Sequence, residues 1–579
     1  MKFVQCTKKF LQNNLPLSEI NILWLIAAFV FFTHSPVLFH DYLRQDDWSA
    51  GLWLRFLGTK QCWLEVIHFK KPVNPWACIA NIQTHPGTYN SAVELFRPVS
   101  TAIFLAGDAI AYNIGNIWIV RSYNIALLCI AAVFTYSWLR RLKADSLFAA
   151  CFTITSFALP AYQVQASTAN YTIMIVSIIL GQISFFLWHE AYHNSDKKSL
   201  WQKYRLAYFV MLASLLCYPM SSPYPFLFLA IYVLLLKESI PLYKNRKIID
   251  ASIFILLCMI SVITLGRLVI ILFHIHPQNI ERSVNIDWDI PNKIYHWTVM
   301  LQEASNLFDI NGMIYKEWRY VYYPVITILG LFFVADYIDN KKHFKDFSKK
   351  QIIIRTIFDT LAILALMTLA YCPALAPHTI LIVFRYTVII MPIMLFLLMW
   401  SIKIIINHWL HKENNQVFKI FLVLFTAFAV ITAMHNHTLY IVGQNEYQLN
   451  FMRGFIESDA LPVLKEQKPV TIHIIRDPRI TILPNNLRSD VYGMGVSPED
   501  FAWGLYAAII YLMRDYGYES IEVSPTFKWQ GWNSKMSWGK VKWGTIIVTE
   551  KDYPLKDYPL PDTGEKVVTI DMTKLGTYK

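Results

Sequence analysis

The run Ile20-Asn-Ile-Leu-Trp-Leu-Ile-Ala-Ala-Phe-Val-Phe-Phe-Thr-His-Ser-Pro-Val-Leu-Phe-His40 decides what kind of protein this is. As a helix it is long enough to cross the hydrocarbon core of a bilayer, which takes roughly 20 residues. It exceeds the core of a signal peptide, ends in no small-residue cleavage pattern and is followed by further apolar runs. It therefore reads as an uncleaved signal anchor.

Outward from it, apolar runs near bilayer length recur at about 117–139, 146–161, 170–188, 206–219, 223–236, 251–273, 320–336, 353–372, 384–402 and 418–440, giving about eleven spans. The bulk composition agrees. Of 579 residues, 55% are apolar and only 16% charged, too few charges for a soluble multidomain chain. Aromatic residues make up 15%, with 19 Trp and 32 Tyr, which suits belts of amphipathic rings at the two membrane surfaces.

The formal charge of +12 is not gathered in one patch, so nucleic acid is not the expected partner. Lys and Arg recur in short clusters between spans, as orientation in a membrane requires. With Lys2, Lys8 and Lys9 inside, the inner loops carry Arg140-Arg141-Leu-Lys143, Lys197 to Arg205, Lys244 to Lys247, Lys341 to Arg355 and Lys403 to Lys419. The short outer connections 161–168, 220–222 and 373–383 hold no Lys or Arg. Counting Arg97 to Ile114 as a span would reverse every later loop, so that segment is expected to lie along the outer interface as an amphipathic helix.

On this reading residues 1–440 form the membrane region, with outer loops 41–116 and 274–319. The second loop is rich in polar and aromatic residues, among them His274, His276, Asp287, Trp288 and Asp289. Residues 441–579 form a small α/β domain on the non-cytoplasmic side. Its strand-like runs are Val470–Ile475, Gly544–Val548 and Val567–Ile570, with a helical stretch from Phe501 to Tyr516. There is no internal repeat and no low-complexity segment.

Of the eight cysteines, Cys129, Cys151, Cys217, Cys258 and Cys372 lie in or beside apolar runs and read as small packing residues. Cys62 and Cys78 share the first outer loop, where an oxidising compartment permits a disulfide between them.

Candidate chemistry collects on the outer face. Asp46-Asp47 follows the first span closely, either as a solvated turn or as a site carboxylate pair held at the membrane surface, with Asp41 nearby. Arg121, Arg267 and Arg385 fall toward the outer ends of their spans, against the positive-inside bias, and Arg97 joins them at the outer interface. A guanidinium at the bilayer centre costs about 2.5–3.5 kcal/mol, so such residues snorkel, face a cavity or pair with an anion. A lipid phosphate fits, because the guanidinium fork matches phosphate oxygens. His85, His378 and the pair His274 and His276 are also outer residues that could take a divalent cation such as Mg or Mn, or sit as interfacial polar groups. No P-loop, Rossmann glycine run, H-E-x-x-H or G-x-S-x-G is present. Trp529, Trp532, Trp538 and Trp543 read as core or bilayer contacts, with sugar stacking as an alternative.

These residues carry a resemblance. Phe39-His-Asp-Tyr-Leu-Arg-Gln-Asp46-Asp47-Trp48 resembles the acidic motif that follows the first span in polytopic GT-C glycosyltransferases using polyprenyl-phosphate sugars. Leu95-Phe-Arg97-Pro98-Val99-Ser100 is similar to their Arg-Pro motif, and Phe384-Arg385-Tyr386 with Pro392 to their late-helix Arg-Tyr motif. The order of these motifs over residues 20–400 looks closest to bacterial O-antigen glucosyltransferases.

The resemblance implies a polytopic α-helical protein of GT-C type in the bacterial inner membrane, N-terminus cytoplasmic and C-terminal domain periplasmic. It implies an inverting transfer of a sugar from a polyprenyl-phosphate donor to a cell-envelope glycan, lipid or protein acceptor. Asp46 or Asp47 would be the base, with Asp41 competing, and Arg385, Arg97, Arg267 and Tyr386 would stand on the phosphate side; Glu94 is a further neighbour. A transporter or flippase of lipid-linked sugars, or a non-catalytic scaffold, would also place charges at one membrane face.

Overall fold

The computed structural model describes residues 17–39, 118–168, 171–193, 197–235, 246–272, 289–308, 323–375, 386–410 and 416–476, parts of 505–518, and 536–541, 543–550 and 564–574. The first helix, α1 (Leu17–His34), ends in a 3₁₀ turn, Ser35–Leu38. After it come α2 (Trp118–Arg141), α3 (Ser146–Phe157), α4 (Pro160–Ser167), α5 (Thr172–His193), α6 (Lys197–Cys217), α7 (Pro225–Leu235) and α8 (Arg246–Leu272). The bundle continues with α9 (Ile290–Ser305), α10 (Tyr323–His343), α11 (Lys349–Leu375), α12 (Ile390–Trp409) and α13 (Gln416–Asn436). Each expected span overlaps a helix, but residues 161–167 of the expected short outer connection 161–168 belong to the buried helix α4 instead.

Among the described residues seven helices are long and apolar enough to cross a membrane, or eight if α3 and α4 count as one bent span. The chain is a polytopic helical membrane protein. Three of the expected spans fall short of that standard. The helix α7 is only 11 residues long. The other two, α6 and α10, carry charge within the helix: Lys197, Lys198, Lys203 and Arg205 in α6, Asp336, Asp339, Lys341 and Lys342 in α10.

Two departures from straight helices shape the bundle. Asp145 caps α3 by accepting a hydrogen bond from the Phe148 N–H (3.2 Å), and the helix stops where Pro160, at the first position of α4, cannot continue it. The axis turns by 57° there. The second is the α6–α7 connection, where Ser221, Ser222 and Tyr224 are wholly buried although their backbone is not regular helix. Such backbone is tolerated at membrane depth only when protein surrounds it. Here Ser177 of α5 lies 2.9 Å from the Ser222 hydroxyl and donates to the Tyr218 carbonyl (2.9 Å). The Ser222 carbonyl oxygen presses on Gly181, where a Cβ would stand only 2.8 Å from it.

The helix ends sort into two poles. At one, Arg140 at the end of α2 pairs with Glu19 at the start of α1 (2.6 Å), and Arg141 pairs with Glu190 near the end of α5 (2.9 Å). Lys403 of α12 lies over the Phe148 ring of α3, and Phe148 stacks on Phe418 at the start of α13. At the opposite pole the end of α1, the start of α2, the α3–α4 bend, the start of α12 and the end of α13 meet.

Beyond α13 the helix does not stop at residue 440. It runs through a π turn (His437–Gly443), α14 (Gln444–Phe455), a second π turn (Ile456–Ala460) and α15 (Leu461–Lys465). A four-stranded sheet follows, ordered β2-β3-β1-β4. Its strands are β1 (Val470–Arg476), β2 (Met536–Val541), β3 (Gly544–Glu550) and β4 (Lys566–Asp571), with β1 parallel to β3 and β4 and β2 antiparallel on β3. The three strand-like runs of the sequence are β1, β3 and β4; β2 lacks their β-branched pattern. Gly544 begins β3 with φ near 154°, against the Val470 carbonyl, where no side chain fits. Arg453 and Glu457 tie the long helix to Asp515 and Tyr516, the latter by a hydroxyl donated at 2.6 Å.

The expected interfacial helix Arg97 to Ile114 and the first outer loop lie outside the described residues. Part of the second outer region is described. Asp289 caps α9 through the Asn292 N–H (3.2 Å), and residues Met300–Ser305 at the far end of α9 are buried. Just beyond, the Phe308 ring packs 5.4 Å from both Phe425 and Phe428, and the Asn436 side chain donates to its carbonyl (3.1 Å).

Candidate functional site

The candidate site is the pole where α4 meets α1, α2, α12 and α13. Its backbone geometry explains a buried arginine. Helix α4 is eight residues long and ends inside the protein, so its last carbonyls have no intrahelical N–H. Arg121, fully buried in the first turns of α2, donates through Nε to the Ser167 carbonyl (3.2 Å). Asn124, one turn on, donates to the Thr168 carbonyl (3.0 Å) and the Gln165 carbonyl (3.4 Å), and accepts from the Thr172 hydroxyl. A cation at the negative end of a helix dipole is stabilising, and here it supplies missing donors as well. Arg121, grouped by the sequence with the anion-binding arginines, has at least this N–H committed to the fold.

A second buried contact joins three helix ends. His34 Nε2 faces the Phe157 carbonyl at 2.9 Å, and its Nδ1 faces His437 Nε2 at 2.8 Å. A carbonyl only accepts, so Nε2 of His34 carries the proton and its Nδ1 must accept from His437. Both rings are fully buried. The pair ties α1, seven residues before Asp41, to the π turn that leads toward the C-terminal sheet.

Tyr162 of α4 packs its ring on Phe157 (centroids 4.5 Å apart), and its hydroxyl reaches the Val388 carbonyl (3.0 Å) at the start of α12. Tyr386, the described residue of the Arg-Tyr motif, lies two positions earlier in a half-buried 3₁₀ turn. Around this junction the Gln165 side-chain amide and the hydroxyls of Ser221 and Tyr371 are buried without a hydrogen-bond partner among the described residues. Such groups need water or a ligand rich in hydroxyls to be satisfied.

Of the residues singled out from sequence, Asp41, Asp46, Asp47, Cys62, Cys78, His85, Glu94, Arg97, His378 and Arg385 lie outside the described residues. Arg267 falls near the end of α8, its side chain outside the description. Among the described residues no group of three or more His, Cys, Asp or Glu side chains gathers as a metal site. Trp543 is buried in the common apolar core, the packing role expected for it.

Sequence reasoning did not single out Tyr162, His34, His437 or Gly181. Pro160 is the local signal that could have announced the bend that brings Tyr162 inward; nothing local signals that Tyr162 meets Val388 or His34 meets His437, 226 and 403 positions away. Outside the membrane, His473 of β1 is buried beside the Thr549 hydroxyl (2.9 Å), and burial pushes its imidazole below its ordinary range.

Searched against protein families and curated proteins, the chain matches none. The fold defines its class: a polytopic helical membrane protein with a small α/β sheet.

Proposed function

We propose that the chain is an inverting glycosyltransferase of GT-C type in a bacterial inner membrane. It takes a sugar from a polyprenyl-phosphate donor and passes it to a cell-envelope glycan, lipid or protein on the non-cytoplasmic face. The observation that carries this reading is the junction at the α3–α4 bend. His34, just before the acidic motif, and Val388, just after Phe384-Arg385-Tyr386, are both tied to it, beside buried polar groups without partners.

In the reaction, an acceptor hydroxyl oxygen attacks the anomeric carbon while the bond from that carbon to the phosphate oxygen breaks. The electron pair leaves with the polyprenyl phosphate, and the hydroxyl proton goes to Asp46 or Asp47. Arg385 and Arg97 stabilise the phosphate charge as it develops, with Arg267 and Tyr386 beside them. Inversion follows from a single displacement.

The bend and the buried α6–α7 connection also favour a second reading, a transporter or flippase of lipid-linked sugar, since transporters build midplane sites from broken helices. One experiment separates the two. The purified protein in proteoliposomes is given a panel of polyprenyl-phosphate sugars together with cell-envelope glycans, lipids and proteins as acceptors, and donor consumption and movement between leaflets are both followed. Consumption with release of polyprenyl phosphate is expected; movement of intact donor without consumption would establish the transporter instead.

A further inference from the structure

Pro392 takes one donor out of the first turn of α12. In an α-helix the carbonyl of residue i is met by the N–H of residue i+4. The Thr387 carbonyl is met in this way by Met391 (2.9 Å) and the Ile389 carbonyl by Ile393 (3.2 Å). Between them, the carbonyl of Val388 would look to residue 392, and proline has no N–H. Val388 is fully buried, so its carbonyl needs a partner from elsewhere.

Tyr162 supplies it. The hydroxyl has one proton, the carbonyl can only accept, and the two lie 3.0 Å apart. The Tyr224 hydroxyl, 3.2 Å from that of Tyr162, is then left to donate to it. Behind Tyr224 stands the Thr135 hydroxyl (3.4 Å), which donates to the Ala131 carbonyl (3.0 Å) and accepts from the Gln182 amide (3.0 Å). Buried polar contacts thus run from α5 through α2, the α6–α7 connection and α4, and the Tyr162 hydrogen bond closes them on the carbonyl that Pro392 leaves open.

We propose that Tyr162 is a positioning residue for Tyr386 and the start of α12. By capping the Val388 carbonyl it fixes the backbone two residues beyond Tyr386, a residue that the glycosyltransferase reading sets beside the phosphate of the lipid-linked donor. The nature of the ligand rests on the glycosyltransferase reading; the link between hydroxyl and carbonyl does not.

The test is a double-mutant cycle on the full-length protein in nanodiscs, with Tyr162→Phe, Pro392→Ala and the two combined. Hydrogen exchange over residues 386–391 and binding of polyprenyl phosphate are both read. Tyr162→Phe is expected to speed exchange there and weaken binding, each by roughly tenfold, the scale of a buried carbonyl left unpaired. In the Pro392→Ala background the same change should shift either readout by less than about twofold, because the restored N–H meets the carbonyl.

Equal effects in both backgrounds, or no effect of Tyr162→Phe on exchange, overturn the proposal. If exchange couples as expected while the wild type binds no polyprenyl phosphate, the donor reading fails and the link stands. Should Tyr162→Phe alone fail to fold, recovery of folded protein on adding Pro392→Ala supports the proposal and lack of recovery counts against it.

Discussion

The two poles of the bundle use arginine in opposite ways. At the pole of the basic loops, Arg140 and Arg141 meet carboxylates, Glu19 and Glu190, and the charges are neutralised pairwise. At the other pole Arg121 is fully buried and its Nε–H donates to a backbone carbonyl at a helix end. An ion pair can be removed as a pair at little cost, whereas a buried backbone carbonyl stays in place when the side chain that donates to it is lost. The difference teaches that charge is met by opposite charge at one pole and holds the end of a buried helix at the other.

The largest effect is expected from the carboxylates of the acidic motif. Asp46→Asn, Asp47→Asn and Asp41→Asn, each checked for folding, should separate in a sugar-transfer assay. Loss of the base should cost about 10²–10⁴-fold in rate. Full activity in all three would remove catalysis from this pole. Next is Gly181→Val, which puts a side chain against the Ser222 backbone carbonyl, an atom that cannot move aside as a flexible side chain could. A loss of about 1–3 kcal/mol, read as a lower melting temperature in detergent, is expected. An unchanged melt would mean that the α6–α7 connection is not held against α5.

The arginines themselves sharpen the comparison. Arg121→Met should destabilise by about 1–3 kcal/mol, because it leaves the Ser167 carbonyl buried without that donor. Arg140→Met strands the Glu19 carboxylate, only 8% exposed, and should destabilise by a similar amount, but adding Glu19→Leu should recover most of that loss because the pair is then removed together. No recovery in the double variant would erase the distinction between the poles.

The smallest effect belongs to the sheet. Burial holds the His473 imidazole below its ordinary range, so the folded domain keeps a neutral ring where the unfolded chain has already bound a proton. The stability contributed by this group is full above the unfolded pKa, about 6.5, and is lost as pH falls below it. His473→Gln should flatten that dependence in a pH-resolved melt of the full-length protein, and an unchanged slope would assign it to another group.

Much of the architecture was legible in the chain. Apolar runs of bilayer length become helices because an unpaired backbone polar group has no partner in lipid, and Lys and Arg at the loops mark which ends belong together. The candidate site was only partly legible. Tyr386 could be named from its motif, and Arg121 drew notice as a charge in an apolar run, but its engagement with Ser167 depends on α4 ending there. The strand β2 was missed because Met536–Val541, with a Trp, a Gly and a Lys, takes its place from pairing with β3 and not from its own pattern. The helix through Lys465 was cut short at residue 440 because the polar residues Gln444 to Gln448 read as the end of a span.

By itself the sequence determined the membrane class and the succession of helices, since length of apolar run and charge act locally; the bend at Pro160 was not read from it. It also determined that Val388 would lack its usual partner, because Pro392 four residues on has no N–H. Only the tertiary structure decided what fills that gap. Tyr162 is 226 positions from Val388, and no local rule selects one hydroxyl over another at that separation; the 57° turn between α3 and α4 does, by carrying Tyr162 to the start of α12.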